Sequence, residues 1–135
     1  MSLPESEIVH LTERGGEFTV TVEANMTCVV LLGFSIPHGY QEEKSDLLLR
    51  LNPGYPDIPP DMWWFNPPLR RLDGAIIPQT ESIEQHLGRQ WQRWSRHLDP
   101  NHWRSGMDTL RTFLAIVRRD LEKYAAPEVV ALVAA

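Results

Sequence analysis

Residues 51–68, LNPGYPDIPPDMWWFNPP, decide the fold because they cannot form a helix or a central strand. Six of the last seventeen residues are proline, which fixes φ, removes a backbone donor and disfavours helix in the preceding residue. The stretch also carries four large aromatic side chains that need apolar surroundings: Tyr55, Trp63, Trp64 and Phe65. We therefore predict an ordered, extended loop. Where it is extended, the two adjacent tryptophans should face opposite sides.

The residues before this loop predict three antiparallel strands joined by short links. In EFTVTVEA, 17–24, apolar and polar side chains alternate, which is typical of a strand with one buried face. The run TCVVLLGFSI, 27–36, is apolar almost throughout and indicates a central strand covered on both faces. The run DLLLRL, 46–51, predicts a third strand that leads directly into the proline-rich loop.

The residues after the loop predict helices. SIEQHLGR, 82–89, is interpreted as a short helical segment. Residues 105–124 predict a long amphipathic helix that begins with a capping box of Ser105 and Asp108. A second short helix is expected in PEVVALVAA, which starts with Pro127. The apolar stripe of the long helix has six members: Leu110, Phe113, Leu114, Val117, Leu121 and Tyr124.

Strands that come first and helices that come last, without alternation, predict an α+β fold. We expect one domain over residues 1–135, in which an antiparallel sheet of three or four strands is backed by the C-terminal helix. Residues 1–10 and 125–135 are expected at its periphery. Because residues 125–135 are almost wholly apolar, they must dock on their own domain or on a neighbour, so a homo-oligomer formed through this tail is an open alternative.

Composition argues against several classes of function. No apolar run approaches the ~20 residues that a membrane span needs, and the acidic start MSLPESEIVH is not a signal peptide. A single cysteine fits a reducing compartment, so we expect a cytoplasmic protein. The net charge of −5 argues against nucleic acid as a partner. Residues 69–119 are nevertheless rich in arginine, which could form salt bridges or present a basic face to an acidic partner.

The order of these features resembles the ubiquitin-conjugating-enzyme (UBC) fold over roughly residues 28–124. In that family a strand runs into a Tyr-Pro…Pro-Pro turn. A second strand, a His-Pro-Asn tripeptide, the catalytic cysteine and a tryptophan then precede a helix. The matching features here are Tyr55-Pro56, Pro59-Pro60, the strand 63–65, Trp103 and the helix stripe 110–121.

The resemblance implies an α+β UBC-like fold, in which a four-stranded antiparallel meander is backed by C-terminal helices. The sequence is similar to the divergent bacterial relatives of these enzymes, which tend to sit in gene clusters with ubiquitin-like proteins, activating enzymes and isopeptidases. It therefore implies a role in a bacterial ubiquitin-like modifier pathway. The implied partners are a ubiquitin-like protein and an activating enzyme, with no cofactor and no membrane.

The departures from the family pattern concern its chemistry. Where the family has His-Pro-Asn, this sequence reads Asn66-Pro67-Pro68, so the asparagine that stabilises the oxyanion is replaced by a residue without a side-chain donor. The family spacing, counted back from Trp103, leads to the region of Ser95 and not to a cysteine. The protein is therefore expected to work without the usual cysteine thioester.

Cys28, the single cysteine, lies among β-branched and aliphatic residues. A thiol in such a run behaves as a small apolar side chain, whereas a reactive thiol needs an exposed, electropositive setting. We therefore expect Cys28 to be structural, with a catalytic role as the weaker alternative.

Ser95 and His97 are the candidate catalytic residues. A serine and a histidine can act as nucleophile and base if their side chains meet and a third group, here Asp99, orients the ring. An acyl-transfer enzyme or a small hydrolase built on this pair is the alternative function. The opposing interpretations are that both side chains hold the local loop through backbone hydrogen bonds, or that they face a partner.

The surrounding stretch WQRWSRHLDPNHW, 91–103, is expected to be a loop that either binds a partner or is held in place by buried aromatic rings. Its histidines and Asp99 have no known metal-ligand spacing, so no metal is expected. The preferred function is that of an adaptor that holds a ubiquitin-like protein or an activating enzyme. The candidate binding residues are Arg93, Trp94, Arg96, His102 and Trp103.

Overall fold

The computed structural model describes residues 3–127 of the chain. The expected second helix after Pro127 therefore lies outside the described residues, as does most of the tail that we considered as an oligomer contact. The elements are, in chain order, helix α1 (Glu5–Arg14), strands β1 (Phe18–Glu23), β2 (Met26–Ser35), β3 (Lys44–Leu51), β4 (Trp63–Asn66), β5 (Ile83–His86) and β6 (Arg89–Trp94), a 3₁₀ turn (Pro100–His102) and helix α2 (Leu110–Tyr124).

The strands form one antiparallel sheet with the order β1-β2-β3-β4-β6-β5. The α+β class and the first four strands are as predicted, but the described sheet has six strands instead of four. The added strands are β5 and β6, and because they begin at Ile83 the prediction of a helical segment over residues 82–89 is wrong. Leu87 and Gly88 both have positive φ, 55° and 72°, and they close a two-residue β-hairpin between β5 and β6.

One face of the sheet packs against the two helices and forms the main core. The predicted stripe of α2 points into this core, with Leu110, Phe113, Val117 and Leu121 at most 1% exposed. The ring of Phe113 meets the Trp63 indole edge-on at 5.8 Å between centroids. Burial of a side chain of this kind contributes roughly 1.5–3 kcal/mol, so the stripe fixes α2 firmly on the sheet.

The opposite face of the sheet carries a second, smaller core. Because the sheet is curled, the tip of the β5–β6 hairpin reaches the end of β1, where the Leu87 backbone N–H donates to Glu23 Oε2 at 2.8 Å. Trp63 lies in the main core and Trp64 in the second, so the prediction that they face opposite sides is confirmed. The second core is formed by Cys28, Val30, Leu48, Trp64 and Trp91.

Helix α2 begins later than predicted. Its N-cap is Thr109, which forms a capping box with Thr112. The predicted capping pair has other partners, because Ser105 donates to Asp57 and Asp108 accepts a hydrogen bond from the Arg104 backbone N–H at 2.6 Å. The residues before Leu110 therefore form a hydrogen-bonded turn and not the first turn of the helix.

Helix α1 was not among the predicted elements. Leu3 and Glu7, which lie in the stretch we expected at the periphery, are buried, as is Leu11. The carboxyl group of Glu7 accepts hydrogen bonds from the Tyr55 hydroxyl and, at 3.2 Å, from the backbone N–H of Leu110. This one side chain therefore connects α1 with the proline-rich loop and with the first turn of α2.

We expect Tyr55→Phe to lower the free energy of unfolding by about 1–3 kcal/mol, because the buried Glu7 carboxyl group loses a hydrogen-bond donor that the phenyl ring cannot replace. Tyr124→Phe is the matched control, since no hydrogen bond from the Tyr124 hydroxyl is found among the described residues. Urea unfolding of both variants measures the difference. Equal losses in the two variants would contradict the role assigned to Glu7.

Gly39 supports the segment that follows α2. It has a φ of +118° and its carbonyl oxygen accepts the Ala126 backbone N–H at 3.2 Å. A Cβ added at Gly39 would lie 2.6 Å from the Cβ of Ala125. The close approach of these two backbones therefore requires glycine.

We expect Gly39→Ala to destabilise the protein more than Gly106→Ala does, by roughly 1–3 kcal/mol, because it adds a clash to the backbone strain. Gly106 is the matched control, since its φ is also positive, at +82°, but an added Cβ would meet nothing within 4 Å. Urea unfolding of both variants gives the comparison. Indistinguishable stabilities would show that residues 125–126 do not dock on Gly39.

Candidate functional site

The stretch 91–103 is only partly a loop, which corrects the sequence-based expectation. Its first residues belong to strand β6, which pairs with β4 on one side and β5 on the other. Because side chains alternate along a strand, Trp91 faces the second core and Trp94 the main core. The chain leaves the sheet only at Ser95, so the exposed part of the candidate site is shorter than predicted.

The tryptophans of this stretch are buried. Trp94 is fully buried, and its Nε1–H donates to Gln92 Oε1 at 2.9 Å. Trp103 is 7% exposed, and its Nε1–H donates to the Pro56 carbonyl oxygen at 2.8 Å. Both rings therefore contribute to the core instead of an exposed binding surface, and Trp103 holds the proline-rich loop against the start of α2.

Ser95 and His97 are close in sequence but do not form a catalytic pair in this structure. The Ser95 Oγ accepts a hydrogen bond from Arg93 Nε at 2.9 Å, and the Ser95 backbone N–H donates to the Gln79 carbonyl oxygen. Among the described residues there is no hydrogen bond between the side chains of Ser95 and His97. The hydroxyl therefore has a cation beside it and no base.

His97 has a partner that the sequence did not reveal. Its side chain is 80% exposed, and Nδ1 lies 3.3 Å from Asp61 Oδ2. Asp99, the expected orienting group, instead caps the 3₁₀ turn through the Asn101 backbone N–H at 2.9 Å and lies 3.9 Å from His102. The histidine ring is thus positioned from the proline-rich loop, 36 residues away along the chain.

Arg93 and Arg96 both form ion pairs. Arg93 Nη1 lies 2.6 Å from Glu84 Oε2. Burial opposes ionisation of Glu84, but hydrogen bonds from His86 and Trp64 and the charge of Arg93 hold the pKa of this carboxyl group below its ordinary value. Arg93 therefore pairs with an acidic side chain, in keeping with the salt-bridge interpretation of the arginine-rich region.

Arg96 joins the exposed segment to helix α2. Its Nε donates to Asp120 Oδ2 at 2.7 Å, and its guanidinium carbon lies 4.9 Å from the Trp94 ring centroid and 4.8 Å from that of Tyr124. The Arg96 Nη2 atom is buried and has no hydrogen-bond partner. Because this nitrogen is excluded from solvent, the Arg96 side chain would have to move before the atom could donate to an acceptor in its surroundings.

A cleft of about 760 Å³ lies between this segment and α2. Its two walls carry charges of both signs: His97, Asp99 and His102 from the segment, and Arg119, Asp120 and Lys123 from α2. Apolar side chains line it between these walls: Met62, Trp63, Leu98, Phe113 and Ile116. Sequence reasoning missed the α2 wall, although its members share one helix face outside the buried stripe.

The proline motif has a structural role. The Tyr55-Pro56 and Asn66-Pro67 peptide bonds are cis. The side-chain amide of Asn66 donates to the Gln90 carbonyl oxygen at 2.6 Å and so joins the end of β4 to β6. Pro59 and Pro60 lie in the irregular segment between β3 and β4, in keeping with the predicted extended loop.

Cys28 is fully buried in β2, within the second core. Its thiol contacts apolar side chains and lies 3.9 Å from the Met26 carbonyl oxygen. It is also the only cysteine of the sequence. The prediction that Cys28 behaves as a small apolar side chain is therefore confirmed.

Neither a metal site nor a membrane-spanning helix is found within residues 3–127. The structure shows no group of three or more His, Cys, Asp or Glu side chains there that could hold a metal ion. Neither helix in this range is long and apolar enough to cross a bilayer.

Comparison with known proteins gave one finding. The family model described as prokaryotic E2 family E matches residues 3–124, which include every strand and both helices of the described fold. No curated protein and no solved structure matches the chain.

We expect the thiol of Cys28 to react with a disulfide reagent such as 5,5′-dithiobis(2-nitrobenzoic acid) only when the protein unfolds, because a buried thiol is not accessible to it. The reaction is followed by absorbance in buffer and in urea. Met107→Cys is the matched control, since Met107 is 66% exposed and a thiol there should react in the native protein. Rapid native-state modification of the unmutated chain would contradict the burial of Cys28.

Proposed function

Because the chain belongs to the prokaryotic E2 family E, we propose that it acts in a bacterial ubiquitin-like modifier conjugation pathway as a binding module without a cysteine thioester. Its partner is a ubiquitin-like protein or the enzyme that activates it. The observation that carries this proposal is the burial of Cys28, the only cysteine in a chain of an E2 family. A thioester requires a thiolate that can reach the modifier's carboxyl terminus, and a fully buried thiol cannot do so.

The lack of a side-chain donor for the oxyanion of a tetrahedral intermediate supports the same conclusion. Pro68 stands where the UBC resemblance would require the asparagine of His-Pro-Asn, and it has no side-chain donor. Asn66 uses its amide for the Gln90 carbonyl oxygen. A tetrahedral intermediate near this turn would therefore not receive the hydrogen bond that the family provides.

Within this proposal, the cleft beside α2 holds the carboxyl-terminal segment of the modifier. Its apolar lining suits an extended chain, and Arg119 and Lys123 offer positive charge to a terminal carboxylate. Recognition would then depend on a preformed surface, which keeps the entropic cost of binding low.

The test mixes the purified protein with a bacterial ubiquitin-like protein and its activating enzyme, together with ATP. We expect non-covalent binding in isothermal titration calorimetry and no covalent adduct by mass spectrometry. Arg119→Ala together with Lys123→Ala should weaken binding about tenfold, because two cations are lost from one wall of the cleft. Arg111→Ala is the matched control, since Arg111 lies on α2 outside the cleft.

The thioester of the activating enzyme with the modifier serves as the internal control, since it shows that the modifier is competent. An adduct that persists in Cys28→Ser and disappears in Ser95→Ala would overturn the binding-module proposal in favour of acyl transfer by Ser95 and His97. Failure to bind either protein would contradict the pathway itself.

A further inference from the structure

Two arginines from different helices share one buried aromatic ring. Phe34, in β2, is 2% exposed and belongs to the main core. The guanidinium carbon of Arg14, at the end of α1, lies 5.3 Å from its ring centroid, and that of Arg118, on α2, lies 4.8 Å from the same centroid. Cation–π contacts of this length hold both groups in place and leave their hydrogen-bond donors to other partners.

Neither guanidinium has an acidic partner within residues 3–127. Glu122 lies one helical turn beyond Arg118, but no carboxylate oxygen is within ion-pair distance of either group. Seven other arginines of the chain do have such a partner, at 2.5–3.9 Å: Arg50, Arg70, Arg71, Arg89, Arg93, Arg96 and Arg104.

The absence of a partner has an electrostatic cost. Partial burial, and then the charge of Arg118, hold the pKa of Arg14 below its ordinary value. The two cations therefore repel each other on a shared support, although the sequence as a whole has a net charge of −5. An anion bound beside either guanidinium would offset this repulsion and would accept charge-assisted hydrogen bonds from it.

We propose that Arg14 and Arg118, supported by Phe34, form a docking site for a carboxylate-rich segment of a partner protein. Carboxylates fit because each guanidinium can bind one in a bidentate manner. Phosphate accepts hydrogen bonds from the same guanidinium groups, so inorganic phosphate is the competing anion in the test. The site lies outside the cleft beside α2, so it does not depend on the function proposed for that cleft.

The probe for this site is a fluorescein-labelled hexaglutamate peptide, titrated with the full chain and followed by anisotropy. We expect saturable binding that weakens as salt is added. Arg14→Gln and Arg118→Gln should each weaken it about tenfold, because each removes charge-assisted hydrogen bonds. Arg111→Gln is the matched control, since Arg111 is exposed on the same helix but is not placed over Phe34.

A second measurement does not depend on the stability of any variant. In the ¹H–¹⁵N spectrum of the unmutated protein, the Nε–H signals of Arg14 and Arg118 should shift on titration with the peptide, and that of Arg111 should not. Inorganic phosphate should compete only at far higher concentration than unlabelled peptide does.

Several results would overturn the proposal. They are the absence of saturable binding, equal losses with Arg111→Gln, and inorganic phosphate binding as tightly as the peptide.

Glu128 lies outside the described residues and could supply the missing carboxylate from within the chain. Tighter peptide binding in Glu128→Gln would identify it as the occupant, whereas unchanged binding would support a partner.

Discussion

The buried carboxyl group of Glu7 is the contact on which the rest of the structure depends. It receives hydrogen bonds from Tyr55 in the proline-rich loop and from the first backbone N–H of α2, while its own helix packs on the sheet. A buried carboxyl group without donors would cost several kcal/mol, so these segments have to stay together once the chain folds. Because α2 also forms one wall of the cleft, Glu7 helps to set the geometry of the candidate binding site without lining it. The proline loop, which cannot form regular structure, is held in place by this carboxyl group at Tyr55 and by Trp103 at Pro56.

The curled sheet explains why this member of an E2 family has no accessible thiol. In a flat sheet, the face opposite the helices would be open to solvent and Cys28 would be exposed on β2. Here the β5–β6 hairpin reaches the end of β1, and Trp64 and Trp91 complete a second core over the thiol. The cysteine is therefore part of the packing, and the candidate nucleophile and base that remain in the exposed segment are Ser95 and His97. These have separate partners, Arg93 and Asp61, which suits recognition better than proton transfer between the two.

How far the sequence predicts the molecule depends on how local each signal is. The alternation in β1, the apolar run of β2 and the helical stripe of α2 are local patterns, and all three are found where they were predicted. The β5–β6 hairpin was missed because Leu87 occupies a positive-φ turn position at which Asn or Asp is more usual. Helix α1 did have a signal, with Glu5 and Glu7 in its first turn and Arg14 in its last. The pairing of His97 with Asp61 and the burial of Glu7 come from tertiary contacts, and no local pattern indicates them.

The arginine-rich second half of the chain shows why composition alone could not decide between salt bridges and a basic face. The described structure shows the salt bridges, and secondary structure separates most of the paired arginines from Arg118. Several arginines on strands lie opposite acidic side chains on neighbouring strands, as Arg93 does with Glu84 and Arg89 with Asp46. Arg118 lies on the exposed face of α2, where its guanidinium lies over Phe34 and no carboxylate of residues 3–127 is within ion-pair distance. An acidic protein can therefore carry a localised cationic site, because charge pairing depends on which segments are adjacent and not on the net charge. A partner that binds this site would be recognised through a few fixed charges. Such charge complementarity contributes more to specificity than to affinity.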